Sequence, residues 1–321
     1  MSGPAVQIRQ VGKRFGDQVI VQDLSLSVPR GTVYGLLGPN GAGKTTTLRM
    51  LLNIIAPDEG TIEIFGCKPA AAGLTDRIGY LPEERGLYRR MQVRRLLRFL
   101  AALKGVPSRV ADQRITDWLT RLELRTDSID WGLAKVDELS RGMQQKVQFI
   151  ATLLHDPELV ILDEPFSGLD PMNAQALKDT VVELKRGGKT IIFSTHLMEN
   201  AERMCDAVCI IARGQKVLDG TIEDVKAGHG GQCVALALDA EESNGAIALL
   251  RDSALVRRLD DSNRYVEIEL KPDVHPRQLL RYLVDAGLAI QRFELIQPSL
   301  HQIYLQKVGA SDVEPGMTGH G

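Results

Sequence analysis

Residues 38–46, GPNGAGKTT, place three glycines ahead of a lysine and two threonines in the spacing of a phosphate-binding loop. Gly38, Gly41 and Gly43 let the backbone turn tightly and bring its N–H groups close to anionic oxygens, where a Cβ would intrude. Pro39, Asn40 and Ala42 complete the cradle. Lys44 supplies a positive charge for the phosphates, Thr45 a hydroxyl for Mg²⁺, and Thr46 continues a helix whose positive dipole end faces the anion. Downstream, LVILDEP at 159–165 ends an apolar run in two carboxylates. Asp163 suits a hold on Mg²⁺, usually through water. Glu164, one residue on, suits taking a proton from an attacking water, although paired acids after an apolar run also make an ordinary solvated turn. STH at 194–196 sets His196 just past another apolar run, in reach of a γ-phosphate or as a capping or core histidine. SGLD, Ser167 to Asp170, is a turn by composition.

Strands and helices must present these groups. Val33–Leu37 reads as a buried strand feeding the glycine loop, and Leu48, Met50, Leu51 and Leu52 as the helix leaving it. Alternation at Val6 and Ile8, at Leu24, Leu26 and Val28, and over Thr61–Phe65 predicts an antiparallel lobe ahead of and beside that strand. From about 90 to 125 the period becomes helical, with Val93, Leu96, Leu97 and Leu100 on one face and Arg94, Arg95 and Arg98 off it. Apolar strands at Leu159–Leu162, Thr190–Ser194 and Ala207–Ala212 then alternate with helices, the rhythm of a doubly wound parallel sheet. KAGHGGQ at 226–232 breaks it and marks a domain boundary. Beyond lie strand Cys233–Leu238, helix Glu241–Leu250, strands Ala254–Leu259 and Tyr265–Leu270, helix Pro276–Asp285 and strand Leu288–Ile296, the order of a ferredoxin-like domain. A last helix spans Ser299–Val308, and the tail 309–321 is expected to be disordered.

The whole chain sets bounds on partners. With 321 residues, 44 % hydrophobic and 25 % charged, it accommodates one large α/β domain and a smaller one. No run approaches the ~18 apolar residues of a membrane span, and MSGPAVQIRQ lacks a signal peptide's apolar core, so a soluble intracellular protein is expected. A net charge of -2 argues against bulk attraction to nucleic acid, and none is expected as a partner. Cys205 and Cys209 have no second pair to complete a zinc site and read as core.

Over roughly residues 5–225 the set resembles the ATPase subunit of an ATP-binding cassette (ABC) transporter. GPNGAGKTT resembles the Walker A loop, LVILDEP Walker B, LSRGMQQKV at 139–147 the family's signature motif, SGLD the D-loop and His196 the switch histidine. Phe15, in KRFG, sits where the family stacks an aromatic ring on adenine; a core Phe is the alternative. The resemblance implies a P-loop NTPase fold with an antiparallel β lobe, a parallel-sheet core and a helical subdomain at about 86–150. The ATPase domain would span 1–228, followed by an α+β accessory domain at 229–308. It further implies ATP and Mg²⁺ as ligands, Thr45, Glu83 and Asp163 around the metal, and Glu164 and His196 in catalysis. Ser140 and Gly142 would reach the ATP of a second copy, the same or a related subunit, and Asp170 would be a further nucleotide-binding residue. A separate membrane permease would be the other partner, with the chain peripheral on the inner face of the membrane. The single cassette, the small C-terminal domain and the PSLHQIYLQKVG ending resemble ABC-2 type subunits, mostly exporters. The runner-up is a soluble cassette ATPase acting on ribosomes or DNA.

Two motifs depart from the family pattern. Arg141 and Met143 replace the third and fifth residues of LSGGQ, and Glu83, in IGYLPEERGLY, replaces a glutamine. A carboxylate can ligate Mg²⁺ but cannot donate a hydrogen bond; Glu83 is otherwise a solvated loop acid. Between Arg85 and Arg109 stand eight basic residues and no acid, either a solvated face or a surface for acidic permease loops or anionic headgroups.

Overall fold

A computed structural model describes residues 3–84, 86–228, 233–238, 247, 249–251, 253–260, 265–271 and 273–308. The chain divides into two compact units, residues 1–196 with 203–219, and residues 197–202 with 220–321.

In the first unit, β1 (Val6–Phe15), β2 (Gln18–Val28) and β4 (Glu59–Ile64) pair antiparallel in the order β2-β1-β4. Period-two alternation puts Val6, Ile8, Leu24, Leu26, Ile62 and Ile64 on one buried face, and this is the expected antiparallel lobe. The core sheet has six strands in the order β5-β6-β7-β3-β8-β9, where β3 is Val33–Leu37, β5 Ile78–Leu81, β6 Leu159–Asp163, β7 Thr190–Thr195, β8 Ala207–Ala212 and β9 Gln215–Thr221. From β5 to β8 the pairings are parallel. Every residue of β3, β6, β7 and β8 is buried, as expected of strands covered on both faces. β5 and β9 carried no clear sequence signal, because one has four residues and the other is a mostly exposed edge.

Helices α1 (Lys44–Leu51), α4 (Arg141–Leu153), α5 (Pro171–Arg186) and α6 (Met198–Met204) connect these strands or follow them. Between β5 and β6 the chain also forms α2 (Val93–Leu103) and α3 (Ser108–Arg121). α2 buries Val93, Leu96, Leu97 and Ala101 and turns Arg95 and Arg98 outward. The basic run is less free than its composition suggested. Arg94 donates to Asp130 at 2.9 Å and Thr116 at 3.1 Å, and Arg98 pairs with Asp112. The acids that balance it are remote in sequence but adjacent in the fold.

In the second unit, α7 (Ile222–Gly228) takes in the first three residues of KAGHGGQ, and 229–232 lie outside the described residues. Strands β10 (Cys233–Leu238), β11 (Val256–Asp260), β12 (Val266–Leu270) and β13 (Ile290–Ile296) form one antiparallel sheet, ordered β11-β12-β10-β13. Counted within the unit this is 2-3-1-4, the ferredoxin-like arrangement. Leu279 and Leu283 of α8 (Pro276–Asp285) pack on Val234, Leu236 and Ile268. Of the expected helix Glu241–Leu250, residues 247, 249 and 250 are helical and the others lie outside the described residues. Helix α9 (Leu300–Val308) is anchored at its start by the Leu300 N–H, which donates to Glu202 Oε2 at 3.3 Å. The tail 309–321 lies outside the described residues.

Candidate active site

Strand register assembles the site. Asp163 of β6 pairs with Ser194 of β7, and Leu37 of β3 with Thr195, so the loop 38–43, Glu164 and His196 all leave the sheet at its carboxyl edge. Open α/β sheets receive ligands there. Gly38 and Gly43 hold φ at 150° and 102°, and a Cβ would lie 2.1 Å from the Ile211 carbonyl oxygen and 2.7 Å from that of Ile20. Neither site admits a side chain. At Gly41, with φ 76°, the surrounding space is open and conformation alone favours glycine.

Lys44, first residue of α1, is 6 % exposed. Its Nζ donates to the carbonyls of Gly38 at 2.8 Å and Pro39 at 3.0 Å and lies 3.8 Å from Glu164 Oε1. Burial pulls the lysine below its ordinary pKa, against the opposing pull of Glu164, Asp163 and Glu83. Glu83 is exposed on its loop yet is felt at the lysine. Its two neighbours are tied to α4, since Gln148 Nε2 donates to the carbonyls of Glu84 at 3.1 Å and Pro82 at 3.5 Å.

Asp163 is 1 % exposed, and its Oδ1 accepts from Thr45 Oγ1 at 3.3 Å and, at short range, from Ser194 Oγ. Its Oδ2 is buried with no hydrogen-bond partner among the described residues. A buried carboxylate oxygen left bare is costly. A threonine hydroxyl beside such an oxygen is the hard-donor set that Mg²⁺ prefers, so these residues fit that ion.

Glu164 is 8 % exposed with φ 46°, a left-handed conformation that costs a residue with a Cβ about 1–3 kcal/mol. The Glu164 N–H donates to Ser194 O at 3.2 Å and Ser194 Oγ at 3.3 Å. Glu164 Oε1 accepts from the His196 N–H at 3.1 Å and lies 2.9 Å from His196 Nδ1. These contacts bring Lys44, Thr45, Asp163, Glu164 and His196 together. A carboxylate so fixed, beside a buried cation, is equipped to take a proton from water.

The other expected residues make their contacts elsewhere. Phe15 is 52 % exposed, not a core ring, and Lys13 Nζ lies 5.4 Å from its centroid. Ser140 caps α4 and accepts from the Met143 N–H at 3.2 Å. Asp170 caps α5 and accepts from the Asn173 N–H at 3.0 Å. Gly142 is where the two helix starts meet, since a Cβ there would be 2.6 Å from Asn173 Nδ2. Sequence reasoning passed over Asn173, and over Ser194, whose hydroxyl serves both acids. Only the "ST" before His196 hinted at the latter.

Comparison with known proteins decides the family. A model described as "ABC transporter" matches residues 21–167, and one described as "ATP-binding protein DrrA1-3-like, C-terminal domain" matches 220–308. The uncharacterized ABC transporter ATP-binding protein YhaQ of Bacillus subtilis (strain 168) is 41 % identical over 303 residues, covering 94 % of this chain and 98 % of its own. The chain belongs to the ABC transporter ATP-binding family. This cassette therefore binds ATP and hydrolyses it to power transport. The Nod factor export ATP-binding protein I of Burkholderia orbicola (strain AU 1054) is 40 % identical over 224 residues, covering 68 % of this chain and 72 % of its own. A solved structure titled "Structure of ATP binding subunit of ABC transporter" superposes with TM-score 0.64 at 31 % identity, over 70 % of this chain and 93 % of the other. These relatives do not favour an action on ribosomes or DNA. Among the described residues of the cassette and its appendage, no helix is long and apolar enough to cross a membrane.

Proposed function

We propose that the chain is the energy-supplying half of an exporter, its ATP site being completed by a second cassette and its work delivered to a separate membrane permease. The observation that carries the hydrolytic part is Glu164 Oε1, held by the backbone and ring of His196 and 3.8 Å from Lys44 Nζ. Glu164 is the general base and His196 positions it and meets the γ-phosphate. Thr45 and Asp163, with Glu83 from its loop, hold Mg²⁺, which when bound neutralises phosphate charge. The loop 38–46 cradles the phosphates, and Phe15 stacks on the adenine. Ser140, exposed at the start of α4, Gly142 just behind it and Asp170 serve the ATP of the partner copy, which excludes water and completes charge stabilisation. Export is supported by what the Burkholderia relative is named for. We assign residues 1–228 to the ATPase domain, 229–308 to the accessory domain and 309–321 to a tail, although the main run of the compact second unit and the C-terminal family match both begin earlier, at 220.

The permease then holds the chain at the inner face of the membrane. A cleft of about 350 Å³ between β5, α2 and α4, lined by Leu52, Tyr80, Leu100, Leu103, Lys104 and His155, offers a seat for one of its loops. Arg95 stands exposed on α2, whereas Arg94 and Arg98 are occupied by Asp130 and Asp112. Arg95→Glu is therefore expected to reduce co-purification of the membrane subunit severalfold while leaving the thermal midpoint within about 2 °C, as for surface changes generally. Arg94→Glu is expected to lower the midpoint, because it replaces the nearer of Asp130's two arginine partners with an acid and leaves Arg125, at 3.6 Å, to offset both. Undiminished co-purification of the Arg95→Glu chain would remove this face from the interface.

A further inference from the structure

The end of β1 carries Phe15, and there the ladder is irregular although Lys13, Arg14 and Phe15 each face a residue of β2. Pairing with β2 shifts register between Val11 and Lys13 and again between Lys13 and Arg14, and pairing with β4 shifts between Arg9 and Gly12. Such irregularities leave ladder groups unpaired and let a strand end twist. Asp58, just ahead of β4, adds to the holding. The Asp58 N–H donates to Gly12 O at 2.9 Å, and its carboxylate accepts from the Arg14 N–H at 2.8 Å and from Lys13 Nζ at 2.8 Å. Lys13 and Phe15, two apart on a strand, share a face. With its ammonium fixed by Asp58, Lys13 lies 5.4 Å from the Phe15 centroid, inside cation–π range. The Lys13 side chain is 12 % exposed and that of Asp58 44 %, so the ammonium is the sheltered half of the pair, while Phe15 is 52 % exposed. The same hairpin touches the phosphate loop, because the Ile20 carbonyl of β2 closes on Gly43.

We propose that Asp58 and Lys13 are positioning residues for base recognition: Asp58 fixes the end of β1 and holds the Lys13 ammonium against one face of Phe15, which leaves the other face to stack on the nucleobase. The proposal rests on the reading of Phe15 as the adenine-stacking ring. A cation behind the ring locks its orientation before the base arrives, so less ordering remains to be done on binding. Neither residue touches the phosphates or the reacting atoms, so their effect falls on nucleotide affinity and not on the chemical step.

The test uses the full chain, with dissociation constants for Mg-ATP and for Mg-tripolyphosphate, which lacks a base, together with KM and kcat. Phe15→Ala is expected to weaken ATP about tenfold, the scale of one lost base–aromatic stack, and to leave tripolyphosphate unchanged. Asp58→Ala and Lys13→Met are each expected to raise the ATP dissociation constant and KM about three- to fivefold, the scale of one cation–π contact. Both leave kcat and tripolyphosphate binding as in the wild type, and neither adds to Phe15→Ala. Asp58→Asn keeps an acceptor for the Arg14 N–H and is expected to fall between Asp58→Ala and the wild type. Unchanged ATP affinity in Asp58→Ala and Lys13→Met, where Phe15→Ala weakens it, overturns the proposal, as does an equal loss of tripolyphosphate binding. If Phe15→Ala itself leaves ATP affinity intact, the reading of Phe15 fails first and the proposal with it.

Discussion

Glu164→Gln is expected to lower ATP turnover by at least about a hundredfold, the lower end of what a positioned general base contributes, while Mg-ATP binding stays within about threefold of wild type. The amide is nearly isosteric with the acid. Its oxygen can still accept from the His196 N–H, which now bonds Glu164 Oε1 at 3.1 Å, so the left-handed turn at residue 164 is kept. What disappears is the capacity to receive a proton. Lys44, 3.8 Å away, also loses a negative neighbour, which favours its engagement with phosphate. ATP therefore binds without being consumed, and the chain is expected to accumulate as an ATP-dependent dimer. Phosphate release and light scattering with and without Mg-ATP measure the two halves of this result. Wild-type turnover in the variant would take Glu164 out of the reaction.

Lys44→Ala is expected to act one step earlier and weaken ATP binding itself, by roughly ten- to a hundredfold, the scale of one or two charge-assisted hydrogen bonds. The ammonium lies against the Gly38 and Pro39 carbonyls and is withdrawn from solvent by the loop it serves. Its charge is thus delivered in a region of weak screening, where a phosphate feels it strongly. Alanine removes that charge and leaves Glu164 buried without its cation, which adds repulsion toward an incoming anion. Titration calorimetry with Mg-ATP reads the loss. Affinity equal to wild type would mean that the loop 38–46 does not hold the phosphates through Lys44.

Much of this site was legible because its chemistry restricts residue types locally. Gly38 and Gly43 face carbonyls at distances no Cβ tolerates, and a sequence records that directly as glycine. Asp163 and Glu164 follow a strand buried throughout, and an unbroken apolar run announces such a strand. What escaped notice depends on pairing between distant segments. The register that sets Ser194 beside Asp163 joins residues 31 positions apart, and nothing local in TIIFST marks that serine as an acid's partner. Asn173 matters because α4 and α5 start side by side, a fact of packing. The ion partners of the basic run were hidden for the same reason, since Asp130 lies 36 residues from Arg94. The C-terminal sheet was readable from alternation, with β10 matching its expected bounds at Cys233–Leu238, while the edge strand β9 left almost no apolar trace.

The central claim is that each ATP is hydrolysed at a site shared by two copies, with Lys44 and Glu164 from one and Ser140 from the other. It is tested most directly by mixing two chains that are each inactive alone, Lys44→Ala and Ser140→Glu, and measuring phosphate release. In a shared site the mixed dimer concentrates both lesions in one composite site and leaves the other intact. The account predicts turnover in the mixture well above the sum of the two separate preparations. Turnover no greater than that sum would contradict it.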